Sequence, residues 1–169
     1  MTASDADAGA LGLPPGAVAP ELNLPATPDG QRVQLADFRG KPVVLVFYPA
    51  DFTPVCGSEL AIFSEILPDI EALGARLFAI SCDSVFSHRA FAAQMNLKMP
   101  LLSDFHPKGE VARQYGVYDD NIGMAERALF VVDSEGTISW SYVSPIGVNP
   151  GADGILTALE AMAPVGAAA

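Results

Sequence analysis

Residues 41–56 read KPVVLVFYPADFTPVC, and this stretch decides the fold. The run from Pro42 to Tyr48 is apolar at successive positions, which predicts a strand buried on both faces. A helix start follows, because Thr53 can serve as the N-cap and Pro54 suits the first helical position. The stretch therefore predicts a buried strand that turns sharply into a helix.

Strand-like and helix-like segments alternate along the rest of the chain. An apolar stripe at helical spacing extends the first helix, formed by Ile62, Ile66, Ile70 and Leu73 and widened by Leu60, Phe63 and Leu67. Pro68 is expected to kink or divide this helix. The further predicted elements are strands at 75–81, 101–102, 127–132 and 137–143, and helices at 87–95, 109–115 and 153–162. The last two strands are joined by a hairpin signal at 133–136. This order predicts an α/β fold with a mixed central sheet flanked by helices.

The length of 169 residues suits a single domain. The first residues are small, acidic and interrupted by glycine and proline. We therefore expect a flexible tail at 1–16 and one domain over 17–169.

The charge balance excludes several classes of partner. Nine basic against twenty acidic residues give a formal net charge of -11. Such a chain is poorly suited to nucleic acid, whose affinity comes largely from neutralised phosphates, and to anionic membrane surfaces. No apolar run approaches the ~18 residues of a membrane helix. We expect neither a nucleic-acid nor a membrane partner.

The chain has two cysteines, Cys56 and Cys82, which is too few for a disulfide-scaffolded secreted domain. Residues 1–10 contain acidic but no basic side chains, unlike a secretory signal. A reducing cytoplasmic location is expected.

Cys56 falls on the third position of the predicted first helix, over the unpaired N–H groups of its first turn. The helix dipole there favours a thiolate, which is the nucleophilic form. Lowering a thiol pKa from ~8.5 to ~6 takes about 3.4 kcal/mol, whereas a helix terminus supplies only ~0.3–1 kcal/mol. A nearby cation must supply most of the rest, and Arg127, which opens an otherwise apolar strand, is the candidate. Thr53 can cap the helix or bond the thiolate, and Pro49 can shield the sulfur. Taken alone, the pattern also fits Cys56 as a small buried core residue.

The segment Pro49-x-x-x-Thr53-x-x-Cys56 resembles the active-site motif of the peroxiredoxins, and Glu59 stands where that family has a glutamate. The likeness covers residues 16–163. It continues at 19–24, 81–88, 100–104, 115–117 and 127–138. Because no cysteine follows Cys82, the pattern is most similar to the one-cysteine bacterial subgroup typified by alkyl hydroperoxide reductase E.

The resemblance implies a thioredoxin-like fold and peroxide reduction without a metal or prosthetic group. By similarity, Cys56 would attack hydrogen peroxide or an organic hydroperoxide and become a sulfenic acid. Arg127 and Thr53 would hold the thiolate and the peroxide oxygens, and Glu59 would orient Arg127. The family likeness also implies a homodimer, or a larger ring, built from surfaces beside the active site.

The sequence has no cysteine at the positions where the common members of the family carry a resolving cysteine. The position five residues after Cys56, where some members place it, is Ala61. We therefore expect reduction by an external thiol: thioredoxin, a glutaredoxin-like protein or a low-molecular-weight thiol. Cys82 is interpreted as a packing residue. A Cys56–Cys82 disulfide stays an alternative and would require Cα atoms within about 7 Å.

Two other functions remain as alternatives. A redox sensor or relay would also begin with oxidation of Cys56, whereas an interaction module with an inactive site would not. His88 and His106 show no metal-ligand spacing with the cysteines, so no metal site is expected. His88 is interpreted as a surface or interface residue at a helix start. Phe52, Phe86 and Phe91 are candidates for a substrate entrance or a dimer contact, although single aromatic residues more often serve as core or interface packing.

Overall fold

The structure, a computed structural model, describes residues 11–162. Within that range the chain forms nine strands and four α-helices. The strands are β1 (Asn23–Pro25), β2 (Arg32–Gln34), β3 (Val43–Phe47), β4 (Arg76–Ser81), β5 (Leu101–Ser103), β6 (Tyr118–Asp119), β7 (Met124–Ala125), β8 (Arg127–Val132) and β9 (Ile138–Ser144). The helices are α1 (Pro54–Ala72), α2 (Val85–Met95), α3 (Glu110–Gln114) and α4 (Asp153–Met162). Every predicted strand and helix is present, whereas β1, β2, β6 and β7 were not predicted.

Five strands form the central sheet in the order β5-β4-β3-β8-β9. Strands β3, β4 and β5 run parallel, and β8 runs antiparallel to both β3 and β9. Strands β1 and β2 form one small hairpin, and β6 and β7 form another. The mixed sheet with its flanking helices confirms the predicted α/β fold.

Strand β3 lies between two hydrophobic cores, one on each face of the sheet. Val43, Leu45 and Phe47 point to the core that includes buried side chains of α3, here called the α3 side. Val44 and Val46 point to the core packed against α1 and α4, here called the α1 side. Successive strand residues face opposite ways, so a strand covered on both faces must be apolar throughout.

Helix α1 is continuous from Pro54 through Pro68, so the proline does not divide it. The Pro68 ring lies on the exposed face of the helix. The fully buried residues of this helix belong to the predicted apolar stripe. Leu60, Phe63 and Ile70 are fully buried, whereas Ile62 and Ile66 are only half-buried at its flank.

Part of the predicted tail is attached to the domain. The backbone N–H groups of Gly12 and Leu13 donate to the carbonyls of Gly116 and Tyr115, and that of Gly16 donates to Ile138. Residues 11–16 therefore lie against the domain, while 1–10 and 163–169 lie outside the described residues. Among residues 11–162 there is no helix with the length and apolar character needed to cross a membrane.

Phe63→Ala tests the observed orientation of α1. Removing this fully buried ring is expected to lower the free energy of unfolding by about 3–5 kcal/mol, because a cavity remains in the α1-side core. Ile66→Ala, in the half-buried flank, is the matched control and should cost clearly less. Urea denaturation measures both variants. Equal losses would show that Ile66 is buried as deeply as Phe63 and would contradict the observed orientation of α1.

Candidate active site

A tight turn joins β3 to α1 and places the candidate thiol. Phe52 has a φ of 64°, a left-handed conformation that is unusual for a bulky side chain. Thr53 has the extended backbone of an N-cap, but its hydroxyl donates to the carbonyl of Ala50 at 3.0 Å. The predicted side-chain cap is therefore not formed, and the hydroxyl instead closes the turn in front of the helix.

Cys56 is the third residue of α1 and has no exposed surface. It lies in the α1-side core near the end of β3, and Pro49 of the preceding turn is also buried. Burial disfavours an ionised sulfur, so a thiolate here requires a fixed positive partner.

Strand register brings Arg127 to this sulfur. Phe47, the last residue of β3, pairs with Ala128 of β8, so Arg127 lies one residue beyond the end of β3. Side chains alternate along β8. Leu129 points to the α1 side, and Arg127 shares its face. The arginine is the partner that the sequence predicted.

The Arg127 guanidinium is 2% exposed and contacts Cys56 through both terminal nitrogens. Nη1 and Nη2 each lie 3.4 Å from the Cys56 Sγ. Its Nε donates to the carbonyl of Ile146 at 3.0 Å, which fixes the plane of the group. The fork of N–H donors is thus aimed at the sulfur by a backbone acceptor on the opposite side.

Glu59 lies one turn after Cys56 on α1 and is fully buried. Its Oε1 is 3.5 Å from Nη1 of Arg127, yet neither carboxylate oxygen has a hydrogen bond within the described part of the chain. Burial raises the pKa of Glu59 to about 7, and the charge of Arg127 opposes that rise. The guanidinium of Arg127 therefore interacts with both Cys56 and Glu59.

Cys82 follows the end of β4 and is 6% exposed. Burial, and secondarily the charge of Asp104, raises the pKa of this thiol to about 11; Lys108 and the backbone of Ala125 act in the opposite direction. Both cysteines are free thiols. The residues that shift the pKa of Cys82 therefore differ from Arg127 and Glu59, which lie at the Cys56 site.

The interpretation of His88 as a surface or interface residue is wrong. The side chain has no exposed surface, and its ring bonds to Asp51 and to the carbonyl of Leu102. The sequence contained one indication that His88 is buried. Phe91, three residues later on α2, is apolar, lies on the same helical face and is buried.

Asp51, Asp83 and His88 bring potential ligand atoms within 4.8 Å of one another. These groups are already bonded: Asp51 accepts from His88, and Asp83 accepts from the Asp51 N–H and from Ser81. A metal ion would have to displace these bonds, so the cluster is better described as a hydrogen-bonded network.

A buried cysteine at a helix N-terminus, faced by an arginine from the adjacent strand, defines a thiol-based oxidoreductase site on a thioredoxin-like fold. A sequence model of the AhpC/TSA family matches residues 15–141. Alkyl hydroperoxide reductase E of Mycobacterium tuberculosis is 39% identical, over 78% of this chain and 86% of that protein. Peroxiredoxin 1 of Brugia malayi is 34% identical, over 95% of this chain and 73% of that protein.

Solved structures agree with the sequence comparison. The crystal structure of Enterococcus faecalis AhpC aligns with a TM-score of 0.80 at 34% identity, covering 87% of this chain and 90% of that one. The chain belongs to the AhpC/TSA family of peroxiredoxins. It is accordingly a thiol-dependent peroxidase, and the relay and spent-site alternatives are not favoured.

Glu59→Gln tests the pKa of the buried carboxyl. Because its folded pKa of about 7 exceeds the ordinary value of 4.5, the native state binds this proton more tightly. That contribution to stability is fully present below pH ~4.5 and is lost as the pH rises through ~7. The free energy of unfolding of the variant, relative to wild type, should therefore rise between pH 5 and pH 8, by at most about 3 kcal/mol.

Urea denaturation at both pH values measures this difference. Glu65→Gln, an exposed glutamate on the same helix, is the control and should show no such pH dependence. Parallel behaviour of the two variants would contradict a buried carboxyl that titrates near neutrality.

Proposed function

We propose that Cys56 is the peroxidatic cysteine of this peroxidase and that Arg127, Thr53 and Pro49 complete its site. The observation that carries the proposal is the pair of 3.4 Å contacts from the Arg127 guanidinium to a sulfur with no exposed surface. In that setting the cation favours the thiolate, while burial keeps competing water away.

The first step forms one bond and breaks another. The Cys56 thiolate bonds to the terminal oxygen of hydrogen peroxide or an organic hydroperoxide, and the O–O bond breaks. The leaving oxygen carries away the electron pair and takes a proton, giving water or an alcohol, while Cys56 becomes a sulfenic acid. Arg127 N–H groups would stabilise the charge as it moves onto the leaving oxygen. The Thr53 hydroxyl, whose proton goes to the Ala50 carbonyl, would accept a hydrogen bond from the peroxide.

Glu59 is proposed to orient Arg127. Its Oε1 lies 3.5 Å from Nη1, while the Ile146 carbonyl holds Nε, so the guanidinium is restrained at two edges. Groups that fix a catalytic side chain in this way influence the rate without touching the substrate.

An external thiol is proposed to complete the cycle. It would attack the sulfenic sulfur of Cys56 and release water, and a second thiol would then free Cys56 and leave as part of a disulfide. Cys82 is poorly suited to this attack, because a thiol with a pKa of about 11 is almost wholly protonated at neutral pH. Thioredoxin, a glutaredoxin-like protein and a low-molecular-weight thiol would each meet the chemical requirement.

We further propose a homodimer formed beside the active site, in a reducing cytoplasm. Phe52 and Phe86 are 51% and 74% exposed, and large apolar side chains on a surface favour a partner. Phe52 also packs on the buried ring of Phe91, with centroids 5.2 Å apart, so the turn that carries it is supported from within. Free thiols are maintained in a reducing compartment.

Oxidation with one equivalent of hydrogen peroxide in the presence of a sulfenic-acid trap tests the assignment. Peptide masses should show the adduct on Cys56 and a free thiol at Cys82. Cys56→Ser should abolish peroxide consumption, and the matched Cys82→Ser should retain it. A Cys56–Cys82 disulfide would contradict external resolution, and unchanged turnover in Cys56→Ser would overturn the peroxidatic assignment.

Arg127→Ala tests the electrostatic part of the proposal. The second-order rate constant for peroxide should fall about 10²–10³-fold, because the donors aimed at the reacting atoms are lost. Arg127→Lys keeps the charge but not the fork and should be intermediate. Arg113→Ala, at an exposed ion pair, is the control. Stopped-flow measurements that give the same rate for Arg127→Ala and wild type would exclude the role.

A further inference from the structure

A buried polar cluster lies behind the turn that carries the active site. It consists of Tyr48, Asp51, Asp83, Ser87 and His88 and is called the His88 network here. His88 is at the second turn of α2 and is fully buried, and the Asp51 side chain is almost so. The peroxidase chemistry uses none of these groups, so their burial requires another explanation.

The His88 ring is held through both of its nitrogens. Nε2 lies 2.9 Å from the carbonyl oxygen of Leu102, which can only accept, so Nε2 carries a proton. Nδ1 lies 2.8 Å from Oδ2 of Asp51 and 3.3 Å from the hydroxyl oxygen of Tyr48. The Asp51 carboxyl group also accepts from the hydroxyls of Ser87 and Tyr48, at 2.9 and 2.6 Å. The ring therefore links the backbone of Leu102 to the side chain of Asp51.

Asp51 connects the network to the active-site turn. Its backbone N–H donates to Asp83 at 2.9 Å, so both its main chain and its side chain are fixed. The next residue is Phe52 with its left-handed backbone, and Thr53 then closes the turn before α1. A bulky residue keeps a positive φ only where its surroundings impose it.

We propose that His88 is a positioning residue that acts through Asp51 to hold the turn from which Thr53 and Cys56 are presented to Arg127. The inference rests on the proposed role of Cys56. Charged and titratable groups face the ring from the turn after β3, in Tyr48 and Asp51, and from the turn after β4, in Asp83. The neighbouring strand β5 offers the neutral Leu102 carbonyl.

Stability alone does not account for such a pair. Burying polar side chains costs desolvation energy that their hydrogen bonds only offset, and well-packed apolar residues would avoid that cost. The hydrogen bond between His88 and Asp51 instead restricts the turn before α1 to a single geometry. Alignment matters for the peroxide reaction, because a displacement of about 1 Å can cost roughly 10² in rate.

The test compares two electrophiles in His88→Gln, Asp51→Asn and the double variant. Hydrogen peroxide needs the aligned site, whereas iodoacetamide needs only an accessible thiolate. Each single variant should lose at least tenfold in the peroxide rate constant, with a smaller loss in alkylation. The double variant should react with peroxide no more slowly than the slower single variant, because the two residues act through one bond.

Several results would overturn the proposal. These are wild-type peroxide reactivity in His88→Gln, equal losses with both electrophiles, or losses that multiply in the double variant. His106→Gln, at the exposed histidine, is the matched control and should match wild type. If wild-type protein reacts with iodoacetamide but not with peroxide, the proposed function of Cys56 is what fails.

A measurement on an active-site-intact protein covers the case in which the His88 variants do not fold. In His106→Gln the one remaining histidine of the sequence is His88. Its ¹⁵N-edited NMR spectrum should show a slowly exchanging ring N–H at Nε2, the nitrogen that bonds to the Leu102 carbonyl. A ring N–H that exchanges as fast as that of an exposed histidine would show that the ring is not held in the network and would overturn the proposal independently of peroxide activity.

Discussion

The contact between Cys56 and Arg127 is the constraint on which the rest of the site depends. Each group is costly to bury when charged, and each offsets that cost only when the other is in place. The helix α1 has to begin where it does, and β8 has to pair with β3 in one register, for the 3.4 Å contacts to form. The geometry of the peroxiredoxin site therefore depends on the strand pairing as well as on the sequence motif.

The central elements were predictable because their patterns are long. Strands such as β3 and β8, with five or six successive buried residues, carry a clear signal, and Arg127 stands out as the charged residue at one end of such a run. Strands β1, β2, β6 and β7 have only two or three residues and are partly exposed, so they show no apolar run. The equally short β5 is buried at every position, and its two leucines made it detectable. The apolar stripe predicted on α1 included its buried residues, but the sequence did not distinguish these from the half-buried isoleucines at the flank.

The site was predictable only in part for a related reason. Cys56, Thr53 and Glu59 lie within one stretch of helix and turn, so their spacing carries their relationship. The partners His88 and Asp51 are 37 residues apart, and only the fold brings them together. A histidine beside serines at a helix start is also easily interpreted as a surface residue. No local sequence pattern distinguishes a buried, hydrogen-bonded imidazole from an exposed one.

The alternation of side chains along β8 determines which changes of length this family member can accept. A substitution within the strand leaves Arg127 on the α1 side, whereas one residue inserted into or deleted from its pairing with β3 would turn the guanidinium to the opposite face. The register between β8 and β9 shifts between Val131 and Val132, where β9 carries one extra residue, Ser139. This irregularity lies at the end of β8 remote from Arg127, so it leaves the arginine on the side of the thiol.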